Sequence, residues 1–386
     1  MTAQLRRATR RLTGAVMSAA VLGMTAGAAP SSAAWTVPSG SVLPNTSGMA
    51  GVTCVTASTC LLVGVQSGLA SSSLAATWDG SSFTAVTPVS TSSELYGTDC
   101  GPTLCMAVGT DHATSTPAPH AESWNGSSWS SVTAATPSGS TFAQTLKVSC
   151  PSASFCAAVG WYDNGSIPLP FIEHWTGTSF SLQTLTLPGN TVGAKLIGVS
   201  CASASACKAV GYIEVTGQPR KTLVATWNGS SWAVETSANP TAVLAELHGV
   251  SCPSANACEA VGHYIDGSSV QHGLAEVWDG STWDLQTVPD PGGGATDPTL
   301  NAVSCVSSTD CEAVGGYTSS TPHATPVAAA WNGSAWGLQS VPNPHGAADS
   351  TLLDVSCTTT CMAVGYALYD GSTGITGPRP TVVFGP

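Results

Sequence analysis

An all-β fold assembled from seven copies of one unit follows from three observations on this 386-residue chain. Fourteen cysteines fall into seven close pairs, and the first cysteines of successive pairs lie 46, 50, 51, 51, 53 and 52 residues apart. The composition is 42% hydrophobic and only 8% charged, with 41 Gly and 25 Pro, which is too apolar for disorder and too turn-rich for helices. A period near fifty residues belongs to propeller blades and not to helical solenoids, so the predicted architecture is a seven-bladed β-propeller with four-stranded antiparallel blades.

The fifth copy shows the unit in order. It reads LHGVSC, then CEAVGHY, then GLAEVWDG, then STWDLQTVP, four strand-like runs separated by Gly, Pro or Asp-Gly signals. The first run lines the axial channel. Three places before its cysteine stand Gly51, Gly97, Lys147, Gly198, Gly249, Ala302 and Asp354, small residues for a crowded axis with Lys147 and Asp354 as the exceptions. In a sevenfold ring those two blades face one another across the channel. One residue earlier come Ala50, Tyr96, Leu146, Ile197, His248, Asn301 and Leu353, of which Tyr96, His248 and Asn301 add polarity at the channel mouth.

The cysteine pairs close the turn from the first run to the second: Cys54/Cys60, Cys100/Cys105, Cys150/Cys156, Cys201/Cys207, Cys252/Cys258, Cys305/Cys311 and Cys357/Cys361. Five residues separate the partners in five pairs, four in the second and three in the last, and no histidine recurs in register. A metal site holds its spacing more strictly, so the pairs read as intrablade disulfides and no metal or other cofactor is expected. In the chain-entropy model each such short loop contributes about 2 kcal/mol.

The junction of the third and fourth runs is the most regular element: WDGSSF at Trp78, WNGSSW at Trp124, WTGTSF at Trp175, WNGSSW at Trp227, WDGSTW at Trp278 and WNGSAW at Trp331. Asn-Gly and Asp-Gly supply the positive φ of a tight hairpin, and the flanking aromatics cover the turn and pack on the next blade. Eleven of the twelve tryptophans, counting Trp35, hold this register, which makes them blade-packing residues before sugar platforms. The seventh copy ends at PTVVFGP without a fourth run, whereas AAWTVP at Trp35 matches one. An N-terminal strand that completes the last blade closes the ring and removes the exposed edges.

Before Trp35, MTAQLRRATRR supplies four arginines, LTGAVMSAAVLGMTAGAA a weakly apolar core and PSSAA a small-residue cleavage site. Residues 1–34 are therefore expected to be a signal peptide, by Sec or Tat export, and 35–386 the propeller. Within it 35–48 form the closing strand and a crossing, and the repeats start near 49, 95, 145, 196, 247, 300 and 352. Removing the leader moves the formal net charge from −12 to −16. Such a chain, with few cations, argues against nucleic acid and anionic membrane surfaces, and no later apolar stretch is long enough for membrane insertion. The expected product is a secreted, extracellular, acidic monomer.

The Ala-Val-Gly run followed by Tyr, a variable loop, an aromatic, a turn and Trp resembles kelch-type and galactose-oxidase-type propellers over all seven copies. It differs from kelch in a single glycine where kelch has a doublet, which only Gly315 and Gly316 restore, and in its cysteines. The VSCPS…C.AVG…WNG..W pattern is similar to that of a group of exported actinobacterial repeat proteins. The resemblance implies the fold and no particular chemistry.

The face carrying the disulfide turns and the Asn-Gly turns is monotonous from copy to copy. The opposite face takes DHATSTPAPH from Asp111, DNGSIPLP from Asp163, IEVTGQPRK from Ile213, IDGSSVQH from Ile265 and ALYDGSTGITGPRP from Ala367, which differ freely. Variable loops on a rigid frame are where binding is placed. The candidate ligand-binding residues at the channel mouth and on this face are Tyr96, Lys147, Trp161, His248, His263, Asn301 and Asp354. No nucleophile elbow in a strand-to-helix setting, HExxH or phosphate loop is present, so no catalytic residue is assigned. The reading is a binding module for a glycan, cell-wall polymer or protein. A hydrolase or lyase acting at the channel mouth and a structural surface-assembly protein are the alternatives.

Overall fold

The computed structural model describes residues 34–38, 47–66, 72–320, 323–371 and 376–386; the signal peptide expected at 1–34 lies outside them but for Ala34. Blade 1 is made of β1 (Ser47–Thr56), β2 (Thr59–Gln66), β3 (Ser72–Trp78) and β4 (Phe83–Ala85), paired in that order. Blades 2 to 6 repeat the order over residues 93–132, 142–183, 191–235, 244–286 and 296–339. The innermost strands begin two to five residues ahead of the repeat starts, because the second strand runs past Ala-Val-Gly into the loop and stays paired there.

Blade 7 has three long strands, Asp349–Cys357, Cys361–Asp370 and Thr376–Gly385, and takes its outer edge from the N-terminus. Thr36 pairs antiparallel with Phe384 through backbone bonds of 2.8 and 2.9 Å. Trp35 is 2% exposed and lies flat on Gly385, where a Cβ would meet its ring at 2.8 Å. Its indole donates to Gln339 of blade 6 at 2.5 Å. The same bond joins Trp336 to Gln286, and Trp283 to Glu235 at 3.2 Å, so Trp35 occupies the outer-strand position of blade 7.

Each blade buries both faces, and the core is a set of apolar seams between neighbours. In one, Val210 and Val224 of blade 4 meet Leu247, Ala260 and Leu274 of blade 5. All seven disulfides are formed, each within one blade and across its first hairpin.

The second cysteines of four pairs lie deep in the fold. Cys156, Cys207, Cys258 and Cys311 are only 1–2% exposed and belong to the core. Each stands at the start of a second strand, flanked in the sheet by the first and third strands; Cys207 lies opposite Trp227, Cys258 opposite Trp278 and Cys311 opposite Trp331. The neighbouring blade then covers them. Cys156 packs in the seam that holds Met106 and Val108, Cys207 in that of Val159 and Ile172, Cys258 in that of Val210 and Val224, and Cys311 in that of Val261 and Ala275. Of their partners, Cys150 and Cys252 are buried as well, at 4% and 9% exposed, while Cys201 and Cys305 are half-buried. A cystine half fills a seam as a small hydrophobe does.

The Asn-Gly turns fold against the disulfide hairpins, their glycines at φ of 85–96° and their Asn or Asp side chains accepting the backbone N–H two residues on. Trp175, Trp227, Trp278 and Trp331 fasten the two turns together by donating to carbonyls of the disulfide hairpin at 3.1–3.2 Å.

Every innermost strand carries a β-bulge, and the extra residues are Ala50, Tyr96, Leu146, Ile197, His248, Asn301 and Leu353. The bulge pushes a carbonyl towards the second strand, and the glycine of Ala-Val-Gly gives way to it. At Gly262 an added Cβ would lie 2.0 Å from the Glu246 carbonyl, and the six equivalents lie at 1.7–2.1 Å. Below the bulge, the serine of Val-Ser-Cys accepts the cysteine N–H of the next blade: Ser149 from Cys201, Ser200 from Cys252, Ser251 from Cys305, Ser304 from Cys357 and Ser356 from Cys54, at 2.9–3.1 Å. Asp99 takes that role towards Cys150 at 2.6 Å, so the stitching runs around the axis and across the junction of blades 7 and 1.

Further out, the seams that follow blades 5 and 6 hold a relay of side chains. Trp336 donates to Gln286, which donates to buried Glu259 at 3.1 Å; Trp35 donates to Gln339, which donates to buried Glu312 at 3.0 Å. Burial raises the Glu312 carboxyl to about 7, against the donation from Gln339. In the unfolded chain it ionises near 4.5, so between 4.5 and about 7 the unfolded state sheds a proton that the folded state keeps. Stability then falls as pH rises through that window. Glu312→Gln removes this dependence, and its thermal midpoint is expected to gain on the wild type from pH 4.5 to 7; a constant difference contradicts the assignment.

Candidate functional site

The bulge decides what faces the axis, because the extra residue escapes the strand's alternation and its side chain is re-aimed. An axial cavity of about 200 Å³ results, lined by Lys147, His248, Asn301, Asp354 and Asp99 among valines and the serine ring. Lys147 Nζ lies 2.8 Å from Asp354 Oδ2, an ion pair between blades 3 and 7 across the channel. Asp354 Oδ2 also accepts the Val52 N–H at 3.0 Å, and Asn301 donates to the Leu352 carbonyl at 2.7 Å. Burial pushes the Asp99 carboxyl up, opposed by the N–H groups of Cys150 and Cys100.

Four of the seven residues expected from sequence thus line one cavity. Tyr96, Trp161 and His263 stand outside it. Tyr96 donates its hydroxyl to Glu94, and burial followed by that carboxylate raises the phenol. Trp161 and His263 belong to a polar network over blades 3 to 5 on the variable face, and His248 belongs to both places.

That network is built from strand ends. Lys195 of blade 4 holds its ammonium 3.5 Å above the ring of Trp161 in blade 3, and Arg220 lies 4.3 Å over Tyr212. Arg220 donates through Nε to Glu214 at 2.7 Å and through a terminal nitrogen to Glu246 of blade 5. Glu246 lies 3.6 Å from His248 Nε2, and the rings of His248 and His263 meet edge-on at 5.1 Å. Burial opposes the charge of Glu246, yet the neighbouring His248 and the hydrogen bond from Arg220 hold its carboxyl down to about 2, so it is ionised at neutral pH. Burial lowers His263 to about 4, aided by His248, and keeps its imidazole neutral.

Glu246, Arg220, Glu214, Lys195 and Tyr212 were not singled out by repeat comparison; Lys195, Tyr212 and Glu246 hold repeat register on paired strands, and only the loop residue Arg220 has no counterpart. The usable signal was the scarcity of cations: of the six Lys and Arg after residue 34, all but Arg379 fall in blades 3 and 4. Chemically, the network offers fixed donors and acceptors with both signs of charge, Arg220 and Glu214 about one-third exposed. Among the described residues no group of three His, Cys, Asp or Glu side chains is placed to hold a metal ion.

No family model matches the chain, and no curated protein matches it. Solved structures do. The β-propeller domain of the trilobed protease from Pyrococcus furiosus, described as having an open velcro topology, is 6% identical with a TM-score of 0.52 over 87% of this chain and 95% of that one. The lectin of Aleuria aurantia, described as a six-bladed β-propeller with a novel fucose recognition mode, is 14% identical with a TM-score of 0.46 over 79% and 99%. At such identities the likeness is one of fold, and the fold is the β-propeller.

Proposed function

We propose that the protein is an exported, non-catalytic binding module that recognises a glycan, cell-wall polymer or protein through the variable loop face, with blades 3 to 5 making the contact. The observation that carries this reading is the network joining Trp161, Lys195, Arg220, Glu246 and His248, which gathers scarce charge on the face whose loops vary. A seam-packed, disulfide-framed ring loses little conformational freedom when such a face binds. The seven disulfides support an oxidising compartment, in keeping with the leader at 1–34. The repeat pattern supports kinship with kelch-type propellers.

A glycan and cell-wall-polymer array probed with the oxidised protein tests the reading. Specific retention is expected, weakened by about tenfold or more in Arg220→Gln and in Lys195→Gln, since charge-assisted hydrogen bonds are the strong ones. Retention that ignores both substitutions places the site elsewhere, and a blank array shifts the partner to protein.

A further inference from the structure

On the disulfide face the seams between blades are closed to different degrees, according to the side chains that reach into them. Between blades 3 and 4 the Phe155 ring is stacked 6.4 Å from that of Trp227, and His174 meets the same indole edge-on at 4.5 Å. Between blades 4 and 5 Lys208 holds its ammonium 3.6 Å over Trp278, and a cavity of about 160 Å³ is left. Between blades 1 and 2 the same register positions carry Thr59 for Phe155, Thr77 for His174 and Leu61 for Lys208. The cavity there is about 760 Å³.

Leu61, Val86, Cys100, Cys105 and Trp124 belong both to the apolar seam of these two blades and to the wall of the cavity. Trp175, Trp227, Trp278 and Trp331 each donate to the carbonyl three residues after the first cysteine of their own blade. The blade 2 hairpin is one residue shorter, and among the described residues the Trp124 indole N–H meets no acceptor. Trp124 is 8% exposed, and its nitrogen, unlike that of Trp129, keeps accessible surface. No Lys, Arg or His lines the cavity. Asp79 at its rim accepts hydrogen bonds from Ser81 and Ser82 that hold its carboxyl well below the usual range, so it stays ionised and repels an anion. A cation would lose hydration against the apolar wall. A concave, mainly apolar space with one directed polar group suits a small uncharged ligand.

We propose that this cavity binds a small neutral molecule, with an apolar body against Leu61, Val86 and the Cys100–Cys105 bridge and one carbonyl or hydroxyl oxygen that accepts the Trp124 N–H. The site is separate from the variable face and does not depend on the function proposed for it.

The probes are 2-acetylnaphthalene, which carries such an oxygen, 2-ethylnaphthalene, which carries none, and the anion 2-naphthoate, each dialysed to equilibrium against the full-length oxidised protein. 2-Acetylnaphthalene is expected to bind about fivefold more tightly than 2-ethylnaphthalene, as one net hydrogen bond allows, and 2-naphthoate to bind most weakly. Thr59→Phe, which puts at an exposed position of blade 1 the residue type that blade 3 has, should weaken 2-acetylnaphthalene by about tenfold or more. Trp124→Phe should erase the preference for the acetyl over the ethyl compound. Arg220→Gln should leave all three affinities unchanged. No binding of 2-acetylnaphthalene, equal affinity for the acetyl and ethyl compounds, or affinity unchanged in Thr59→Phe overturns the proposal. If Trp124→Phe does not fold, the wild-type preference and the loss in Thr59→Phe decide.

Discussion

Gly262→Ala is expected to destabilise the protein by about 3 kcal/mol or more, at the upper end for a single methyl group. The added Cβ would sit 2.0 Å from the Glu246 carbonyl oxygen and 2.9 Å from the Leu247 Cα, both backbone atoms of the bulged strand. Neither can move without breaking the pairing of Leu247 with Gly262, and Leu247 is fully buried in the seam with blade 4. A side chain could swing aside; this strand cannot. Gly267→Ala is the control, since its Cβ would meet nothing within 4 Å. Chemical denaturation measures both, and a Gly262→Ala protein as stable as the control would show that the bulge does not impose the glycine.

Trp35→Ala is expected to cost about 3–5 kcal/mol, the range for truncating a buried aromatic. The indole is packed with Val341, Leu352 and Val383, and the substitution also removes its hydrogen bond to Gln339. Among the described residues the backbone of the closing segment is paired through Thr36 and Phe384 alone, so losing the indole would expose the edge of blade 7 to pairing with other chains. The variant should therefore unfold earlier and self-associate as concentration rises, whereas Val37→Ala, at a position 42% exposed, should change little. Calorimetry with light scattering separates the outcomes, and a Trp35→Ala protein of unchanged midpoint and mass would mean that the N-terminal strand does not secure the ring.

The repeat made most of this architecture legible. Cysteine spacing gave the blade count, the Asn-Gly turns gave the outer hairpins, and Trp35 stood out as a fourth strand without its blade. The pair of Lys147 and Asp354 was legible too, since each broke a column of small residues. What stayed hidden is contact whose partner is backbone or lies in the next blade. The burial of Cys156, Cys207, Cys258 and Cys311 is of this kind, because spacing pairs a cysteine without saying which neighbour covers it. Ser200 reads as an ordinary strand serine because its partner, the Cys252 N–H, leaves no trace in side-chain identity. The bulge that aims His248 and Asn301 cannot be told in the sequence from a strand that is merely one residue longer. Arg220 comes from a loop without a counterpart in the other copies and Glu246 from the innermost strand of the next blade, so only folding brings them together.

The central claim is that recognition happens on the variable face over blades 3 to 5. Hydrogen exchange of the protein, alone and saturated with whichever polymer or partner it retains, tests this most directly. The predicted result is new protection confined to the segments around Trp161, Lys195, Arg220 and Glu246, with the disulfide hairpins unchanged. Protection confined to the disulfide hairpins, with those segments exchanging as before, would contradict it.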